Sequence, residues 1–127
     1  LPIWQEILDD IIKLRSDIKP DIVFMPSLND LHQDHKTIAD ESLRAFKFGT
    51  IFSYEMPWNN FNFNTSSFFV LSENEIAAKI NALKMYKSQA HRTYANENFI
   101  RSLATTRGVQ IGVEYAETFG LLRYVVR

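Results

Sequence analysis

The chain has 127 residues, which is one domain by length and enough to bury a core. Hydrophobic residues at 46% and charged residues at 23% exclude a disordered composition, and a net charge of -1 excludes the basic face that a phosphate-backbone binder needs. The absence of cysteine excludes disulfides, thiolate zinc sites and thiol catalysis, so any metal must sit on histidine and carboxylates.

No stretch approaches the roughly 20 apolar residues of a membrane span, and no basic-then-apolar leader is visible. The expectation is a cytoplasmic protein with no membrane span and no nucleic-acid partner. The chain opens on Leu1-Pro2-Ile3-Trp4, directly into an amphipathic pattern. Ile3, Ile7, Ile11 and Leu14 recur at helical steps, Pro2 suits a first turn, and Lys19-Pro20 should end the helix. The short apolar run Ile22-Val23-Phe24-Met25, bounded by Asp21 and Pro26, reads as a strand buried on both faces. A polar loop follows, and then a second helix from near Asp34 to near Gly49.

Residues 50–56 read as a second strand and 57–65 as an asparagine-rich loop. Ser67-Phe68-Phe69-Val70-Leu71 reads as a further strand, with its aromatics in the core. Ser72 and Glu75 form a capping box ahead of Ile76, Ile80, Leu83 and Tyr86 at helical spacing. Another helix is expected over 96–109, broken by Gly108, with the tail from Leu121 to Val126 as the last strand. Alternating helices and strands argue an α/β fold, Rossmann-like, with a mainly parallel sheet and helices on both faces. Such folds bind ligands beyond the carboxyl ends of their strands.

The loop after Pro26 lies at such an end and reads Asn29-Asp30-Leu31-His32-Gln33-Asp34-His35. Two of the chain's three histidines fall within four residues, beside two carboxylates. Imidazole and carboxylate oxygen are zinc ligands, and one imidazole can bind metal while the other serves as an acid or electrostatic stabiliser. The same residue types also serve as helix caps and solvated loops, so chemistry alone leaves both readings open. A phosphate site of the His-x-x-His kind is disfavoured, because the Asp34 carboxylate would repel a phosphate at the helix start.

At this point the sequence resembles a known family. Pro20-Asp21-Ile22-Val23-Phe24 followed by Asp30-Leu31-His32-Gln33-Asp34-His35 is similar to the second motif of the PIG-L/LmbE-type N-acetylglucosaminyl deacetylases. Lys79, Ala82-Leu83, Tyr86 and Lys87-Ser88-Gln89 resemble the family's late helix. Arg107-Gly108, Gly112 and Tyr115-Ala116-Glu117-Thr118-Phe119 resemble its closing segment. The resemblance implies zinc-dependent hydrolysis of the N-acetyl group of an N-acetylglucosamine-type sugar. It implies His35 as a zinc ligand, His32 as the group that stabilises the oxyanion or protonates the leaving group, and Asp34 as the acid that orients His32. Asp30 is given a part either behind the metal ligand or facing the substrate, and Arg92 could face an anionic portion of the substrate. Gln33 stands where many members have proline. The family's first motif, Ala-His-Pro-Asp-Asp-Glu, has no counterpart here, and it supplies the other two zinc ligands and the general base. The expectation is therefore a single partial domain over 1–127, truncated at its N-terminus. By itself it should hold zinc weakly or not at all and turn nothing over. A bared sheet edge should then favour pairing with another copy. The alternative is a non-catalytic sugar-binding or assembly module on the same scaffold. His91 is expected at the surface, Glu117 in a structural hydrogen bond, and Trp58, Phe61 and Phe63 at a core edge or against a sugar face.

Overall fold

A computed structural model describes residues 1–86, 91, 92 and 96–127. Lys87-Ser88-Gln89, part of the family resemblance, lies outside the described residues. The elements run α1 (Ile3–Ile18), β1 (Ile22–Pro26), α2 (Gln33–Ala45), β2 (Thr50–Tyr54), β3 (Ser67–Leu71), α3 (Glu73–Lys84), α4 (Glu97–Ile111) and β4 (Tyr115–Arg123). The strands form one sheet in the order β1-β2-β4-β3. The chain divides into two compact units, Leu1–Ser67 with Phe119–Arg127, and Phe68–Thr118.

In the first unit, α1 begins behind Pro2 and ends at Lys19, whose φ of 52° turns the chain out of the helix. The next residue is a proline, which cannot continue it. β1 and β2 pair in parallel from Ile22↔Thr50 to Pro26↔Tyr54, joined through α2, the crossover that parallel neighbours require. β2 and β4 are antiparallel, with an irregular register between Ile51 and Phe52. The sheet is therefore mixed, and the expectation of a mainly parallel sheet is corrected. An apolar run has the same pattern whichever way its strand points; only the connection sets direction. β4 arrives after β3, α3 and α4, running against β2.

The strand buried on both faces is β2, not β1. β1 ends the sheet, and its Ile22 and Phe24 are about half exposed. Phe24, Phe52 and Phe119 pack together, with ring centroids 5.1 to 6.2 Å apart. On the α2 side, Met25, Ala39 and Ile51 are buried, covered by Leu28, Leu43, Phe46 and Leu122. Each large apolar side chain removed from water here contributes roughly 1.5–3 kcal/mol. α2 stops at Ala45 rather than near Gly49. Three arginines gather where it ends: Arg15 donates to the Ala45 carbonyl at 2.6 Å, Arg123 to that of Lys47, and Arg127 to that of Phe48 at 3.2 Å. The last carbonyls of a helix lack backbone partners and carry its negative pole, which guanidinium groups complement.

In the second unit the capping box forms as the sequence indicates. Ser72 Oγ accepts from the Glu75 amide at 3.2 Å, and the Ser72 amide donates to the Glu75 carboxylate at 3.4 Å. Ile76, Ile80, Ile100 and Ala104 make the core, with Leu71, Leu83, Phe99 and Tyr115 against it. Arg101 joins the two helices through Glu73 (2.7 Å) and Glu97 (3.0 Å). Its guanidinium holds the Glu73 carboxyl below its ordinary value. Gly108 does not break α4; it lies buried within it, and the helix ends at Gly112 with φ 74°. Phe69 and Val70 are exposed, not core, because β3 is the other end strand of the sheet. Lys79 pairs with Glu117 at 3.1 Å, tying β4 to α3, and His91 is exposed.

Candidate active site

The loop between β1 and α2 owes its shape to Asp30, which is 2% exposed. Its Oδ1 accepts from the His32 amide at 2.8 Å, closing a turn of the kind aspartate favours. Its Oδ2 lies 3.0 Å from His35 Nδ1. His32 is the N-cap of α2, and its Nδ1 accepts from the Asp34 amide at 3.2 Å. The two imidazole rings stack with centroids 4.3 Å apart.

These contacts assign opposite tautomers to the two rings. A carboxylate only accepts, so His35 Nδ1 carries a proton, and the neutral ring keeps a lone pair on Nε2. A backbone N–H only donates, so His32 Nδ1 is bare, and the neutral ring carries its proton on Nε2. One ring thus offers a ligand or base nitrogen, and its neighbour offers a donor. The arrangement of His35 with Asp30 is that of a metal-binding histidine oriented by a carboxylate behind it.

The geometry brings Asp30, His32, Asp34 and His35 together. The acid that orients an imidazole here is Asp30, acting on His35. Asp34 reaches His32 through its backbone amide, and its own side chain is exposed. Arg92 is exposed and belongs to the second unit. Phe63 lines a cavity of about 200 Å³ with Ser27, Asn29, Ser53 and Asn64, while Phe61 is 78% exposed. Tyr54 ends β2 beside the end of β1. Burial, and then the charge of Asp30, push its phenol above the ordinary value.

Among the described residues, no group of three or more His, Asp or Glu side chains is arranged to hold a metal ion. A zinc site takes three or four protein ligands. His35 Nε2 is one suitable nitrogen, so these residues do not by themselves fit a zinc ion.

No family model matches the chain, and no curated protein sequence matches it. Solved structures do. The conserved protein TT1542 from Thermus thermophilus superposes with a TM-score of 0.78 at 21% identity, over 100% of this chain and 61% of that one. The N,N'-diacetylchitobiose deacetylase from Pyrococcus horikoshii gives 0.72 at 22% identity, over 92% and 51%. GalB, the 4-carboxy-2-hydroxymuconate hydratase from Pseudomonas putida, gives 0.71 at 15% identity, over 97% and 60%. The fold is theirs. The chain spans about half to three-fifths of their length. A deacetylase and a hydratase share this fold, so the reaction must be argued from the site.

Proposed function

We propose that this chain is part of a zinc-dependent deacetylase that hydrolyses the N-acetyl group of an N-acetylglucosamine-type sugar. The observation that carries the reading is the pair of stacked imidazoles with opposite tautomers at the carboxyl end of β1. The PIG-L/LmbE-type resemblance of the 30–35 segment and the fold shared with a chitobiose deacetylase point the same way. In this reading His35 Nε2 would be one of several ligands to a zinc ion, the others coming from outside these residues, and the ion would supply Lewis acidity. Asp30 fixes that ring, and His32 would offer its Nε2–H as a donor to negative charge developing on the substrate. Asp34, at the first turn of α2, adds negative charge beside His32.

The motif that in the resembled family supplies the remaining zinc ligands and the base has no counterpart in this sequence, so the 127 residues alone should bind zinc weakly and turn nothing over. The same proposal takes them as part of one domain of a cytoplasmic protein. Among the described residues no helix is long and apolar enough to cross a membrane.

The test is acetate release from an N-acetylglucosamine conjugate by the protein containing this chain, with and without zinc, against His35→Ala and His32→Ala. Loss of about 10²-fold or more in both variants is expected. Undiminished release from His35→Ala would sink the metal role. Sugar binding without acetate release would favour the non-catalytic module instead.

A further inference from the structure

The segment after β2 pairs with the backbone around Asp30. Asp30 and Asn60 form an isolated antiparallel bridge. Two backbone bonds flank it: the Leu31 amide donates to the Asn59 carbonyl at 2.8 Å, and the Phe61 amide donates to the Asn29 carbonyl at 3.2 Å. The far strand of this clip is closed on itself. The Asn59 and Asn60 amides both donate to the Met56 carbonyl, at 2.9 and 2.8 Å, and the Met56 amide donates back to Asn60 Oδ1 at 2.7 Å.

We propose that Asn60 is a positioning residue for the histidine pair, acting through Asp30. Its side-chain carbonyl locks the 56–60 turn, the locked turn fixes the backbone of Asp30, and the Asp30 carboxylate then holds His35 Nδ1 and the His32 amide. What the imidazoles are for rests on the function proposed above; that Asn60 aims them does not.

The choice of residue fits this role. Asn60 Nδ2 is buried and has no partner among the described residues, a state that costs free energy. The contact that Asn60 makes here is through its acceptor. Aspartate would supply the same acceptor without the orphaned donor. It would also set a second carboxylate directly across the bridge from Asp30, where like charges repel. An amide is the neutral group that accepts at this point.

The experiment reads the tautomers directly. Long-range ¹H–¹⁵N correlations of the labelled chain are recorded at a pH about two units above the ordinary histidine value of roughly 6.5, where free imidazole is neutral. The native chain should show His35 protonated on Nδ1 and His32 on Nε2. Asn60→Ala should lose the Nδ1 preference of His35 in a chain that keeps its helix content. Asn62→Ala, altering an exposed neighbour, should leave both rings unchanged. A native His35 tautomer in folded Asn60→Ala would overturn the proposal. Should that variant not fold, hydrogen exchange in the native chain decides. The amides of Met56, Leu31 and Phe61 should open together, and exchange of Met56 tenfold or more faster than the other two would overturn it. Acetate release plays no part in this readout, so failure of the deacetylase reading leaves the result interpretable.

Discussion

The two oxygens of Asp30 face different partners: Oδ1 the His32 amide, Oδ2 the His35 ring. Asp30→Asn keeps the shape and removes the charge, which separates these effects from packing. Its charge is the second cause of the raised Tyr54 phenol, after burial. In Asp30→Asn the phenol should therefore ionise at a lower pH than in the native chain, yet still above the ordinary 10.0, because burial remains. Ultraviolet absorbance of the phenolate, with Tyr54→Phe as the blank, measures it; an unchanged midpoint would remove Asp30 from the account. The sign for stability follows. The phenol is held neutral in the folded chain, so unfolding frees it to ionise, and this contribution is lost as pH rises past 10.0 towards the folded value. At this scale the sequence is legible where chemistry is local. Two histidines and two acids in six residues after an apolar run single out the segment that the structure gathers around Asp30. That Asp30, rather than Asp34, orients an imidazole is not legible, since it depends on which side chain the loop turns inward. Asn60 is illegible too, because its role comes from pairing with a residue far away in the chain.

Helices show how a rule of composition is overruled by what lies next to it. Glycine inside a helix ordinarily costs about 0.5–1 kcal/mol relative to alanine. A Cβ at Gly108, however, would stand 2.6 Å from the carbonyl oxygens of both Val113 and Glu114. These are backbone atoms of the turn leading into β4, and they cannot rotate away. Gly108→Ala should therefore destabilise the chain by about 1–3 kcal/mol, as overpacking does, instead of stabilising it. The urea midpoint gives the sign, and a rise would show that the turn can yield. The same glycine explains why the sequence pattern breaks this helix early. It marks a close approach from outside, whereas Gly112, with its positive φ, is the true end. The capping box at Ser72 is legible because both partners lie within one turn. The mixed sheet is not, because hydrophobicity carries no arrow.

For the molecule as a whole, the open side of the first unit is its most consequential surface. Ile11, Leu14, Ile18, Ile22, Phe24 and Ile38 line one groove, along α1 and the end strand β1. An end strand beside apolar side chains leaves backbone donors and acceptors open, and pairing of copies along it is a separate proposal, tested by itself. Sedimentation of the 127-residue chain over a rising concentration series should show association, and Phe24→Lys should weaken it. A monomer throughout would remove self-pairing from the account.

The anchoring of α2 has a further bearing on the histidines. The helix is 13 residues long, about 20 Å, with the imidazoles at one end and three guanidinium groups from α1, β4 and the tail at the other. It behaves as a strut whose phase is set at the arginine end. Deleting one residue between His35 and Ala45 would rotate His35 by about 100° around the axis relative to that anchor, away from Asp30. The distance from Asp30 to His35 is therefore a gauge of the number of residues between His35 and the arginine end of α2.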